Sequence, residues 1–292
     1  MKARVTRILS KDYTVRVDNV DYAATARGSI KQFGKILVGD MVEVSPNNYG
    51  GGYTIDKVFP RNNALVRPPV ANLDQLVIVL ALQPAPDFEL VDKLFIFCMQ
   101  QNIKPILVIN KCDISDKNKM LDIVATYKYC TDNIICVSAL EKENLGELKR
   151  LLKGKLSAFA GQSAVGKSTL INALSSSEIA ATQGLSVKTE RGKHTTRHTE
   201  IYTIDNDILI ADTAGFSMLE LSDIKYSDLC SYYPDFASSD ACAYSGCTHV
   251  NCSAKDCAIV TDVQDGVINK GRYDRYVKLY NELRDKWSKR YD

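Results

Sequence analysis

Residues 161–168 read Gly-Gln-Ser-Ala-Val-Gly-Lys-Ser, the spacing G-x-x-x-x-G-K-[ST] of a loop that cradles phosphates. Gly161 and Gly166 let the backbone curl, so that the N–H groups of Gln162, Ser163, Ala164 and Val165 can face phosphate oxygens. The helix that follows adds the positive end of its dipole. Lys167 brings a point charge to the β- and γ-phosphates, Ser168 a hydroxyl for Mg2+, and Thr169 completes the nucleotide-binding run. The motif lies between an apolar run at 156–160 and a helical pattern at 166–174, the strand–loop–helix setting that this chemistry needs.

Residues 110–113, Asn-Lys-Cys-Asp, select the base. A carboxylate at Asp113 can accept from both the N1–H and the 2-amino group of guanine. Adenine has neither donor and would leave that carboxylate desolvated and unpaired. Lys111 can lay its stem along the base, and Asn110 can tie the loop together. Ser138 and Ala139, at the end of the next strand-like run, fit the companion loop whose backbone meets guanine O6. Residues 212–215, Asp-Thr-Ala-Gly, fit D-x-x-G, where Asp212 holds Mg2+ through water and the Gly215 N–H senses the γ-phosphate. The polar segment 188–197 suits a switch loop. It carries Thr195 and Thr196, of which Thr196 is the preferred ligand for Mg2+ and the γ-phosphate. Ser168, Thr196 and Asp212 are thus the expected magnesium ligands, with GTP as the nucleotide.

These motifs need strands that end on one edge of a sheet. Apolar runs at 75–82, 105–109, 134–137 and 156–160 alternate with helical patterns at 88–101, 118–129, 144–152 and 166–174, which predicts an α/β domain with a mainly parallel sheet. Runs at 201–204 and 208–211, joined at Asp205 and Asn206, predict a hairpin. Before them, strand-like runs at 5–9, 13–17, 39–44 and 53–58 predict a small barrel of OB type, ended by Arg67, Pro68 and Pro69. After about residue 222 the pattern is irregular and cysteine-rich, then helical at 267–287. The expected division is 1–69, 70–222 and 223–292.

The motif order is unusual. Guanine motif, companion loop, phosphate loop, threonines and D-x-x-G follow one another as 110–113, 138–139, 161–168, 195–196 and 212–215. This is the ordinary GTPase order rotated cyclically. Its consequence is that D-x-x-G leads straight into the C-terminal region. There Cys242-x4-Cys247-x-His249 is followed by Cys252 and Cys257. Three thiolates and one imidazole make a structural zinc site. A fifth cysteine of this stretch, Cys230, precedes the loop, and the four scattered ones, Cys98, Cys112, Cys130 and Cys136, read as small core residues.

Composition agrees with a soluble multidomain protein, at 45% hydrophobic and 25% charged over 292 residues. No apolar run approaches the roughly 20 residues of a membrane span, and no signal-peptide core opens the chain, so a cytoplasmic protein with no membrane partner is expected. Charge is uneven. Residues 1–69 hold 11 Lys and Arg against 6 Asp and Glu, and residues 270–290 hold 8 against 3. Two basic ends suit a phosphate-rich partner.

The sequence resembles the RsgA (YjeQ/YloQ) family of circularly permuted GTPases that depend on the small ribosomal subunit. The likeness covers nearly the whole chain: Ala-Asn-Leu-Asp-Gln at 71–75, Gly-Lys-His-Thr-Thr at 192–196, Asp-Thr-Ala-Gly-Phe at 212–216, the Cys-x4-Cys-x-His run, and Gly-Arg-Tyr-Asp-Arg-Tyr at 271–276. It implies an N-terminal OB-fold barrel, a permuted P-loop GTPase domain and a C-terminal zinc domain with a helix. It also implies binding to the 30S subunit and its 16S rRNA, a role in late 30S maturation, and GTP hydrolysis stimulated by the subunit. A monomer is the default expectation. Phe216 occupies the position where many GTPases orient the attacking water with Gln. His194, beside the threonines, is the catalytic candidate together with Lys167, and the resemblance points to the same histidine.

Two departures stand out. The family's last zinc ligand would fall at Lys255; Cys257, followed by Ala-Ile-Val like the family's ligand, is chosen over Cys252, which makes the set Cys242, Cys247, His249 and Cys257. Ala164 stands where the family commonly has Gly, and is expected to be tolerated at negative φ. The competing readings are an RNA-bound GTP-occupancy sensor, in which hydrolysis only resets binding, and an ATP-dependent kinase.

Overall fold

The computed structural model describes the chain except residues 11, 29–33, 48–50, 67, 176–198, 206, 213–220, 222–223 and 290–292. The first five strands are β1 (Lys2–Leu9), β2 (Asp12–Val17), β3 (Val20–Ala26), β4 (Met41–Pro46) and β5 (Tyr53–Val58). Their pairings run β1-β2-β3-β5-β4 and back to β1, so the sheet closes on itself. Only the β3–β5 contact is parallel. This is the five-stranded Greek-key barrel of the OB-fold. Alternate residues Ala3, Val5, Val15, Val17, Val42, Val44 and Ile55 fill it. β3 has no counterpart among the sequence-predicted strands. Within it only Ala24 is buried, so it lacks the alternation that betrays a strand.

The segment after β5 is fastened down rather than free. The Arg61 guanidinium grips the fully buried Asp40 with bonds of 2.7 and 2.8 Å. Asn63 exchanges two hydrogen bonds with the Leu73 backbone, and Asn72 accepts from the Asn62 N–H at 2.9 Å. Gly39, at φ 93°, lies so close to the Ala71 carbonyl that any side chain there would strike it.

The central sheet contains β6 (Gln75–Ala81), β7 (Lys104–Asn110), β8 (Ile134–Cys136), β9 (Leu156–Ala160), β10 (Glu200–Ile204) and β11 (Ile208–Asp212), in the order β10-β11-β9-β6-β7-β8. All its contacts are parallel except the β10–β11 hairpin. Every residue of β6 is buried because both faces are covered. Leu76, Ile78 and Leu80 face α1 (Phe88–Gln100) and α2 (Lys117–Tyr127). Val77, Val79 and Ala81 face α3 (Leu145–Leu152) and α4 (Lys167–Leu174). Among the described residues, one antiparallel pairing, Arg7 opposite Glu200, joins the barrel to this sheet.

The C-terminal part has two 3₁₀ segments, Tyr226–Tyr232 and Pro234–Ser238, then the cysteine-rich loop, a short helix Ala258–Gln264 and a final helix Lys270–Ser288. Leu229, Tyr233, Phe236, Tyr276, Leu279 and Leu283 form its core, and Ile96 of α1 belongs to the same cluster. Beneath the final helix lies a buried ionic network. Arg272, 2% exposed, donates to Asp92 at 2.7 Å and to both oxygens of Asp235 at 2.9 and 3.0 Å. Arg275 takes the other oxygen of Asp92 at 2.6 Å, and the Tyr127 hydroxyl donates to the first at 2.8 Å. The Arg272 guanidinium also lies over the rings of Tyr233 and Tyr127.

Candidate nucleotide and metal sites

Parallel strands deliver their following loops to one edge. Residues 82–87 follow β6, the guanine motif follows β7, residues 137–139 follow β8, the phosphate loop follows β9, and Asp212 ends β11. The strand bearing the phosphate loop is flanked by the strand bearing Asp212 and by β6. The phosphate loop and Asp212 thus sit on neighbouring strands although the motifs follow one another in rotated order along the chain.

Two glycines in the phosphate loop are sterically required. Gly161, at φ 136°, would drive a Cβ into the Val79 carbonyl, and Gly166, at φ 93°, would drive one into the Asn110 amide. Val165 is fully buried and anchors the loop, while Ser163, Ala164, Ser168 and Thr169 are exposed. Lys167 Nζ donates to the Gly161 and Gln162 carbonyls, both at 2.7 Å, which holds the ammonium over the curve of the loop. Burial lowers its pKa, so phosphate oxygens would compensate a charge that the protein hydrates poorly. Ala164 does not meet the condition under which it was expected to be tolerated, a negative φ. It sits at φ 65°, in the left-handed region that disfavours a Cβ.

The guanine motif is bonded to the phosphate loop. Asn110, 1% exposed, donates from Nδ2 to the Val165 carbonyl at 2.9 Å and accepts the Ala139 N–H on Oδ1 at 3.1 Å. One side chain thus fastens three of the loops together. Lys111 Nζ donates to the carbonyls of Gln83 and Ala164, both at 2.9 Å. Asp113 is exposed in the 3₁₀ turn Cys112–Ile114, open to a base. Ser138 is buried and its hydroxyl accepts the Glu141 N–H, shaping the companion loop.

Gln83 and the side chain of Gln162 were missed by the sequence reading. Gln162 accepts the Asp87 N–H and donates to the Ala85 carbonyl at 2.9 Å, tying the phosphate loop to the turn before α1. The motif marks position 162 as variable, so nothing in the sequence signals that bond. Thr195, Thr196, His194 and Gly215 lie outside the described residues. Asp212 lies at the end of β11, opposite Glu200 on β10.

In the C-terminal loop the ligand atoms of Cys242, Cys247, His249 and Cys257 all lie within 4.8 Å of one another. Cys257 Sγ is 3.8 Å from Cys242 Sγ and 3.9 Å from Cys247 Sγ, and His249 Nδ1 is 3.5 and 3.4 Å from Cys242 and Cys257. Tetrahedral bonds of about 2.3 Å from zinc to sulfur place sulfurs about 3.8 Å apart, so this set fits Zn2+. Burial lowers the His249 pKa, favouring the neutral imidazole that a metal needs. Burial also raises the Cys247 thiol, but the His249 N–H at 3.4 Å and the neighbouring thiols bring it below the ordinary value. The loop is anchored to the final helix, because the Tyr273 hydroxyl donates to the His249 carbonyl at 2.6 Å and that of Tyr276 to Thr248.

Comparison with known proteins places this architecture. The family model for RsgA GTPase matches residues 58–222. The small ribosomal subunit biogenesis GTPase RsgA of Caldanaerobacter subterraneus subsp. tengcongensis is 37% identical over 100% of this chain and 98% of its own. The protein of that name from Ruminiclostridium cellulolyticum is 39% identical over 79% of this chain and 75% of its own. Among solved structures, YjeQ from Thermotoga maritima superposes with a TM-score of 0.81 at 32% identity, covering 97% of this chain and 98% of that one. YloQ, described as a circularly permuted GTPase, gives 0.79 at 27% identity, over 98% of this chain and 95% of that one.

Proposed function

The chain belongs to the RsgA GTPase family and is a GTPase, and from that premise we propose that it acts on the 30S ribosomal subunit in the cytoplasm, during late maturation, with turnover stimulated by the subunit. The observation that carries the nucleotide half of this reading is the Asn110 bridge between the guanine motif, the phosphate loop and the companion loop. It couples recognition of the base to the geometry of the phosphate cradle.

In this reading Asp113 accepts from the guanine edge and Lys111 lies along the base. The backbone of residues 138–139 faces O6, and residues 161–169 wrap the phosphates. Lys167 exchanges its two carbonyl partners for β- and γ-phosphate oxygens. Mg2+ supplies charge neutralisation on those phosphates, and Ser168, Thr196 and Asp212 would hold it. The Gly215 N–H reports the γ-phosphate, and His194 positions the attacking water on the subunit. The fit of Cys242, Cys247, His249 and Cys257 supports one structural zinc. The division at 69/70 and 222/223 assigns rRNA contacts to the barrel and the final helix, with the zinc loop between them and the switch. One chain supplies every part, so it is read as a monomer.

The test is GTP turnover by the full chain with and without 30S subunits, with ATP and 50S subunits as controls. GTP-specific stimulation by 30S alone, falling to the unstimulated rate in His194→Ala, is expected. Tight GTP binding without stimulation would replace the reading by an occupancy sensor, and full stimulation of His194→Ala would remove that residue from the mechanism.

A further inference from the structure

A fifth thiol stands against the four-ligand cluster. Cys252 Sγ lies 3.6 Å from Cys247 Sγ, although Cys252 is not one of the four residues whose ligand atoms gather within 4.8 Å. His249 and Asn251 both take left-handed backbone conformations, φ 60° and 57°, and this double reversal curls the chain so that residue 252 returns to residue 247. Cys252 is half-buried, its thiol pointed at the Val250 carbonyl at 3.5 Å, within reach of a small solute. A structural zinc needs four ligands, so one sulfur is left over beside a ligand.

We propose that Cys252 is the resolving thiol of a peroxide-sensitive pair with Cys247, which makes the zinc loop a site of reversible oxidation. The inference rests on the zinc reading above. The oxidant is a hydroperoxide. The Cys247 sulfur attacks one peroxide oxygen, the O–O bond breaks, and the leaving hydroxide takes up a proton as water. The Cys247 sulfenic acid is then attacked by the Cys252 thiolate. The S–O bond breaks, a second water leaves, and the S–S bond forms. Two thiols have lost two electrons and two protons, and one hydrogen peroxide has become two waters. The sulfurs need to close only from 3.6 Å to the roughly 2.05 Å of a disulfide. Cys242 and Cys257 are also near one another, at 3.8 Å, but in a loaded site both are held by the metal, whereas Cys252 is not.

The oxidised site keeps only three ligands and loses zinc. Because Tyr273 and Tyr276 bond the carbonyls of His249 and Thr248, zinc loss loosens the seat of the final helix. Trp287, the single tryptophan, donates from Nε1 to the Ile224 carbonyl at 3.0 Å on that helix, so its fluorescence reports the loosening.

The experiment uses the full chain as purified, after metal analysis. A chain that holds no zinc sinks the zinc reading itself. With zinc present, hydrogen peroxide is added, released Zn2+ is followed with a chromogenic chelator, and the products are digested under acid and weighed. Wild type is expected to release about one zinc per chain, to show a Cys247–Cys252 crosslink, and to recover its zinc after a thiol reductant. Cys252→Ser is expected to hold zinc normally and to lose it at least about tenfold more slowly, because no neighbouring free thiol traps the sulfenic acid. Equal release and recovery in Cys252→Ser, a crosslink confined to Cys242 and Cys257, or failure of Cys252→Ser to hold zinc would each overturn the proposal, the last by making Cys252 a ligand.

Discussion

Ala164 shows what one methyl group does in a loop that must curl. Its φ of 65° costs an L-residue about 1–2 kcal/mol relative to glycine, and the extra freedom of glycine in the unfolded chain returns about 0.5–1 kcal/mol of that. Ala164→Gly is therefore expected to stabilise the protein by about 0.5–1 kcal/mol and to raise the melting midpoint by about 1–3 °C. Scanning calorimetry without nucleotide checks this, and a lower midpoint would show that the methyl group is held by contacts worth more than the strain. At this scale the site is the most legible part of the sequence, for a physical reason. Phosphate cradling and guanine selection need fixed spacings of Gly, Lys, Asn and Asp, so residues 110–113 and 161–168 declare themselves. What escapes is conformation and cross-loop bonding. The alanine is visible but its φ is not, and Gln162 reaches Asp87 and Ala85 from a position the motif leaves free.

At the scale of elements, strands with clean alternation or continuous apolar runs are readable, and β3 is not because only one of its residues is buried. The final helix is readable from its pattern, but its attachment is not. Arg272 and Arg275 look in sequence like two more charges on a basic face. In the fold they lie under the helix on Asp92, a residue 180 positions before Arg272. A buried ion pair adds little over a well-packed apolar substitute, yet removing one partner strands the other without solvent. Arg272→Ala takes the guanidinium from Asp235 and leaves Asp92 with Arg275 and Tyr127 alone in a nearly dry site, at an expected cost of about 3–5 kcal/mol. The cost should fall on the seat of the helix. Urea unfolding followed by Trp287 fluorescence is expected to shift to a lower midpoint, while GTP binding in the absence of urea stays intact, since Asn110 and Lys167 bond within the central domain. Unchanged Trp287 unfolding would mean that the aromatic cluster of Tyr233, Phe236 and Tyr276 holds the helix without the network.

For the whole molecule, permutation sets the wiring. The strand carrying Asp212 lies between the phosphate-loop strand and β10, and β10 in turn meets the barrel through Arg7 and Glu200. The chain after Asp212 runs on to the segments that seat the final helix. The barrel thus meets the β10 edge of the nucleotide sheet, whereas the final helix is seated on α1 through Asp92 and Glu89. The buried network also revises the charge available to a partner. On the final helix Arg272 and Arg275 are held by Asp92, and the exposed Lys270 and Lys278 pair with Asp274 and Glu89; Arg284, Lys286 and, at the helix end, Lys289 are exposed too. Exposed Arg27, Lys35 and Lys57 remain on the barrel. Proposed docking on rRNA through these groups replaces condensed counterions. Neutralising about five phosphates gives a slope of about −4 in log affinity against log salt. Replacing Lys286 and Lys289 together by Gln is expected to make that slope shallower by about 1–2 while leaving unstimulated GTP turnover unchanged, because neither residue belongs to the nucleotide motifs. Subunit pelleting across a salt series, paired with turnover, separates the effects. A slope that stays at its wild-type value in the double variant would move the phosphate contacts off the final helix and onto the barrel, where Arg27→Gln and Lys57→Gln would then carry the loss.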